Sequence, residues 1–121
     1  MFWLAFRGLG NNNVYITSNQ APSVPSIHWS NLSQLSGIEL DSSPVIASLE
    51  NGDMLVSARG TDGHLWNQLV DRNRSFRGWQ AESQGWQTNV APFLAVANGV
   101  ISMVIIGQRQ GAIWWKTAYR P

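Results

Sequence analysis

The sequence contains no cysteine, which excludes a disulfide framework, a thiolate nucleophile and any zinc site with sulfur ligands. Charge is scarce as well: Asp, Glu, Lys and Arg make up 12% of the 121 residues, about half the usual share of a soluble domain. Eight basic residues against seven acidic ones leave a net charge of +1. No bulk attraction to nucleic acid or to an anionic membrane surface is expected from that balance. No window approaches about eighteen consecutive apolar residues, so no membrane span is expected. The apolar opening Met1–Gly10 is broken by Arg7 and has no basic segment before it. It does not qualify as a signal peptide. The compartment stays open, a secreted or cell-surface role included.

Catalytic furniture is also thin. His28 and His64 are the only histidines, and neither has a partner at metal-ligand spacing, so no metal and no cofactor is expected. The carboxylates are Glu39, Asp41, Glu50, Asp53, Asp62, Asp71 and Glu82. No two occupy matching positions that would face each other across a sugar, so a glycosidase pair is not indicated and an enzyme is not expected. Gly8-Leu9-Gly10 has no helix after it and is not a phosphate cradle.

What the chain has in excess is tryptophan, seven residues against four Phe and two Tyr. Tryptophan joins a large apolar face to an N–H that needs a partner, so it collects where apolar and polar surfaces meet. Its distribution follows a repeat. Asp41–Trp66 aligns with Thr88–Trp114: Pro44 and Pro92 lie 48 apart, the Asn51-Gly52 and Asn98-Gly99 pairs 47 apart, and Gly60 and Gly107 also 47 apart. A partial copy opens the chain, with Arg7-Gly8 on Arg59-Gly60 and Tyr15 on Trp66. The units are approximately 1–40, 41–87 and 88–121.

Each unit is patterned as β-structure. Asn-Gly between apolar runs signals a hairpin, because both residues tolerate the positive φ of a type I′ turn. First strands are expected at Ser43–Leu49 and Ala91–Ala97, second strands at Met54–Arg59 and Val100–Ile106, and third strands at His64–Val70 and Ala112–Tyr119. A fourth is expected at Phe76–Glu82, with a counterpart near Ser26–Ser33. The apolar run Ile101–Ile106 predicts burial on both faces. No window combines helical periodicity with helix caps. Four short antiparallel strands at a period near 47 residues describe one blade of a β-propeller. The expected fold is therefore all-β, with about two and a half blades in a single propeller segment. Since propellers close with about four to eight blades, the ring must be completed by oligomerisation or by a longer parent chain. A homodimer offering six blade positions is the preferred closure.

The stretch Gly60–Trp86, GTDGHLWNQLVDRNRSFRGWQAESQGW, followed by VAPFLAVANG, resembles the repeat of bacterial PLL-type propeller lectins. In that repeat an Arg-Gly-x-Asp-Gly-x-Leu-Trp strand precedes paired tryptophans and a Ser-x-Pro-x-hydrophobic strand. More loosely the arrangement is similar to tachylectin-like and short fucose-binding propeller lectins. The motif is complete in the middle unit alone: Gln108-Arg109-Gln110 stands for Thr61-Asp62 in the third, and Asn11-Asn12-Asn13 in the first. The resemblance implies binding of glycans or free sugars, fucose-like or O-methylated, in pockets between neighbouring blades.

A sugar ring offers an apolar face and a rim of hydroxyls, so it suits an aromatic platform beside a few polar groups. The candidate ligand-binding residues are Arg59, Asp62, His64, Trp66, Trp79, Trp86 and Trp114. The expected pocket joins Arg59, Asp62 and His64 to Trp66 and the Trp79/Trp86 pair in the middle unit. The third unit, with one extra residue before Trp114 and no Asp, should form it less well. Two plainer readings stand beside this one: the repeated aromatics as packing between blades, and Asp62 as acceptor for the amides of its own turn. A propeller scaffold for protein–protein interaction is the alternative function, and a fragment of a propeller glycoside hydrolase the third.

Overall fold

The computed structural model describes residues 2–19, 32–73, 75–82, 87–88, 90–107 and 112–121. Among them there are ten strands and no helix, so no helix among the described residues is long and apolar enough to cross a membrane. The strands form three antiparallel sheets. The first contains β1 (Phe2–Arg7), β2 (Val14–Asn19) and β3 (Ser33–Leu35). The second runs β4 (Val45–Ser48), β5 (Met54–Arg59), β6 (Leu65–Val70) and β7 (Gln80–Ala81). The third contains β8 (Phe93–Ala97), β9 (Val100–Ile106) and β10 (Ile113–Tyr119). Strands follow chain order in every sheet.

The two Asn-Gly turns differ. Ala97 pairs with Val100 across a two-residue link in which Asn98 and Gly99 both take positive φ, 53° and 74°, as a type I′ turn requires. At the other, Ser48 pairs with Met54, leaving a five-residue loop in which only Gly52 has positive φ. There the Asn51 side chain accepts the Asp53 amide at 2.9 Å. That local bond favours the wider loop.

Alternation along the strands gives each sheet two apolar faces. Met54, Val56 and Ala58 point one way and pack beneath Val14, Ile16 and Leu35 of the first sheet. Leu55 and Leu65 point the other way, toward Ile101, Met103 and Ile105 of the third. These two seams form the core. The second seam repeats the first, since residues 101, 103 and 105 follow 54, 56 and 58 at the 47-residue spacing. The expectation that Ile101–Ile106 is buried on both faces is corrected. Burial alternates along β9, because no described residue packs over the far face of the third sheet, where Phe93, Ile113 and Trp115 are exposed.

The connections repeat too. Leu40 donates its amide to the Asn12 carbonyl at 2.9 Å and bridges Gly60. Thr88 donates to the Gly63 carbonyl at 3.1 Å and bridges Gly107. The Leu40 segment thus ties the β1–β2 turn of the first sheet to the β5–β6 turn of the second, and the Thr88 segment ties the β5–β6 turn to the residue that follows β9 in the third. The fourth strand is shorter than expected: Phe76 makes an isolated bridge to Val70, Gly78 takes positive φ, and ladder pairing covers Gln80–Ala81 only. The expected Ser26–Ser33 strand lies mostly outside the described residues, and the pairing found there is Ser33–Leu35.

Candidate functional site

The turn between β5 and β6 closes with the Gly60 amide donating to the His64 carbonyl at 2.9 Å. Inside it, Asp62 Oδ1 accepts the His64 amide at 2.9 Å and the Trp66 indole N–H at 3.3 Å. The indole lies over Gly60 so closely that a Cβ there would stand 2.9 Å from Trp66 Nε1 and 2.9 Å from Asp62 Oδ1. Glycine is required by that approach. Trp66, Asp62, Gly60 and the passing segment Gly37–Glu39 line a cavity of about 210 Å³.

The first sheet builds the same object from different residues. Gly8 donates to the Asn13 carbonyl at 2.8 Å, Asn11 Oδ1 accepts the Asn13 amide at 3.1 Å, and Asn11 Nδ2 donates to the Tyr15 hydroxyl at 2.8 Å. A Cβ on Gly8 would lie 2.5 Å from the Tyr15 ring. Asn12 takes the positive φ that Gly63 takes in the middle unit. Gly8, Asn11, Tyr15, Phe6 and Leu32 line a cavity of about 390 Å³. The first turn is one residue longer, yet the extra residue is absorbed before Asn11 and the aromatic returns to its glycine. Donor and acceptor are exchanged between the pairs: a carboxylate suits an indole N–H, whereas an amide nitrogen suits a phenolic oxygen. In the third unit Gly107 donates to the Ala112 carbonyl at 2.8 Å, while 108–111, including Arg109 and Gln110, lie outside the described residues.

The candidate residues are not all gathered in one pocket. The register pairs Arg59 with Leu65 and Ala58 with Trp66, so Arg59 and Trp66 occupy opposite faces of the second sheet. Arg59 is engaged by the Asp41 carboxylate and the Thr88 carbonyl, tying together the two intersheet segments. His64 turns toward Gln87, its Nε2 3.5 Å from the Gln87 amide nitrogen. Trp79 packs into the first seam and donates its indole N–H to the Leu35 carbonyl at 3.3 Å. Trp114 is half exposed on the third sheet. Trp86 lies outside the described residues. Asp62 and Trp66 therefore meet in one cavity, and Arg59, His64 and Trp79 serve neighbouring contacts.

Sequence reasoning set Asn11-Asn12-Asn13 where Thr61-Asp62 stands and kept that region as a fallback, but gave the well-formed pocket to the middle unit and did not single out Asn11 and Tyr15 as its counterpart. The signal was present in the alignment of Gly8 with Gly60 and Tyr15 with Trp66, but a register counted from the glycine does not place Asn11 on Asp62. Among the described residues no group of three or more His, Asp or Glu side chains converges as metal ligands would. No protein-family model matches the chain, and no curated protein matches it significantly.

Proposed function

We propose that this chain is a carbohydrate-binding segment of a β-propeller, its three sheets serving as blades, with no catalytic role. The observation that carries this reading is the twice-built turn pocket. An aromatic ring rests on a glycine, is locked by a neighbouring carboxylate or amide, and leaves a small cavity beside it. A locked ring presents a rigid apolar platform at little entropic cost, and the adjacent polar group supplies hydroxyl contacts. Few charges and many amides suit a neutral sugar, fucose-like or O-methylated by the family resemblance. A glycan array with monosaccharide competition tests it: saturable, competable binding supports the reading, and an array without signal removes it.

The outer faces favour a second element, self-association. Leu4 and Phe6 are exposed on the first sheet, at the positions where Val56 and Ala58 are sealed in the second. Phe93, Ile113 and Trp115 are exposed on the third sheet, Ile113 and Trp115 at 73% each. By the repeat, the far face of the third sheet corresponds to the one that the second sheet buries. A second copy supplying its first sheet fits that face head to tail, and two copies reach the six blade positions of a closed ring. A longer parent chain would cover the same faces in the same way. The same apolar surface favours the alternative of a protein-interaction scaffold, in which the covering surface belongs to another protein.

A further inference from the structure

The two Asn-Gly pairs are chemically alike and structurally opposite. Asn51-Gly52 is held from several sides. The Asn51 carboxamide accepts the Asp53 amide at 2.9 Å and donates to Asp53 Oδ2 at 3.2 Å. The Gly52 amide donates to the Leu49 carbonyl at 3.0 Å, and the Gly52 carbonyl accepts the Trp3 indole N–H at 3.3 Å. The Arg72 side chain lies so near that a Cβ on Gly52 would stand 2.8 Å from Arg72 Cβ. Asn98-Gly99 differs at each point. Among the described residues no hydrogen bond holds the Asn98 carboxamide or the Gly99 amide. Both residues are exposed, and a Cβ on Gly99 would meet nothing within 4 Å.

An asparagine followed by glycine carries its own nucleophile. When the Gly99 amide nitrogen reaches Asn98 Cγ it forms a C–N bond and gives up its proton, and the carboxamide nitrogen leaves as ammonia. Water then opens the five-membered imide. Opening at the side-chain carbonyl gives aspartate. Opening at the main-chain carbonyl gives isoaspartate, whose backbone runs through the former side chain. No reactant besides water enters, and nothing is oxidised or reduced. Asn is among the thermolabile residues, and a following glycine, lacking Cβ, leaves the approach open. What the fold controls is access to that geometry. Asn98 and Gly99 sit at φ 53° and 74°, so their turn must open briefly before the attack. That release disturbs only the last ladder pair, Ala97 with Val100. At Asn51-Gly52 the same excursion must break the Asp53, Leu49 and Trp3 bonds and displace Arg72.

We propose that Asn98 is a site of spontaneous deamidation, with Asn51 protected by the fold, and that the isoaspartyl product unfastens the β8–β9 hairpin. Isoaspartate lengthens a two-residue link by one backbone carbon, and the type I′ geometry that matches the strand twist is lost. β8 supplies Leu94 to the core shared by Ala47, Leu49, Leu55 and Ile101, so loosening of the hairpin weakens the second seam. Either product also adds a carboxylate to the cavity of about 590 Å³ that Asn98 lines together with Glu50. The new charge cancels the formal +1 of the chain.

The test ages the wild-type protein in warm, mildly alkaline buffer, folded and in urea. Conversion at each site is followed by peptide mapping with isoaspartyl methyltransferase labelling. In the folded protein Asn98 should convert at least tenfold faster than Asn51, and in urea the two rates should converge. Asp53→Ala, which frees the Asn51 carboxamide, should bring Asn51 up toward the Asn98 rate. Equal rates in the folded protein, or no conversion at Asn98 while the urea sample converts, overturn the site. A tenfold difference that persists in urea belongs to the local sequence and overturns the protection by the fold. Asn98→Asp supplies the charge without the longer backbone. Amide exchange at Ala97 and Val100 should accelerate in the isoaspartyl form and stay near wild type in Asn98→Asp, and equal protection in the two overturns the unfastening.

Discussion

Asp62 holds Trp66 by its indole nitrogen at 3.3 Å while accepting the amide of His64 at 2.9 Å. One carboxylate thus fixes both the turn and the ring that lies over it. Replacing Asp62 with Ala frees two donors at a solvent-accessible site and should cost about 1–2 kcal/mol. Asp62→Asn keeps one acceptor and should cost less than half of that. Thermal melts of both variants, with sugar binding measured on each, separate the locking of the ring from the folding of the turn.

Trp79 belongs to the first seam. Its ring packs with the core between the first and second sheets and its N–H reaches Leu35. Trp79→Ala should destabilise the chain by about 3 kcal/mol, at the low end for a large aromatic truncation because the ring is only partly buried. Sugar affinity per folded molecule should not change. Denaturant unfolding combined with titration of the folded fraction checks both parts.

Arg59 joins Asp41 to the Thr88 carbonyl, and its side chain is 15% exposed. Arg59→Met leaves the buried end of this bridge without its donor and should cost about 1–3 kcal/mol. A double-mutant cycle with Asp41→Asn should show coupling well above that of a surface pair. Amide exchange should accelerate at Asp41 and Thr88 together.

Asp71 is held below its ordinary carboxyl value of 3.8 chiefly by the backbone amide of Ser75, with Asn73 adding to it. Because the folded form prefers the carboxylate, this contribution is present above the unfolded value and is lost as pH falls through the lowered folded one. The backbone hydrogen bonds that Asp71 accepts from Asn73 and Ser75 should therefore loosen as pH falls below the ordinary carboxyl range. NMR titration of the Asn73 and Ser75 amides measures it, and Asp71→Ala should abolish that step.

The apolar outer faces predict association. Ile113→Lys with Trp115→Glu should reduce the apparent mass in light scattering to that of one chain without loss of the antiparallel sheet signal. An unchanged mass in that variant would show that the third sheet's outer face is not the contact.

Strand positions were legible because alternation and turn chemistry are local properties. Met54–Arg59 and Val100–Ile106 appear as expected from apolar runs bounded by glycine turns, and Asn98-Gly99 carries its turn type in two residues. The repeat was legible for the same reason, since each sheet reuses one pattern. The candidate site was legible in part. The motif brought Asp62 and Trp66 together because four residues of one turn suffice to do so.

What sequence determines here is the β character, the positions of the central strands and the existence of two faces on each. Which neighbour covers each face was decided by the stacking of the sheets. Alternation tells Arg59 apart from Ala58 but does not say that Arg59 reaches Asp41 while Trp66 reaches the opposite side. Glu82 and Lys116 are 34 residues apart and pair across the second seam. No local pattern distinguishes them from two exposed charges, because their pairing arises only when the second and third sheets close on one another.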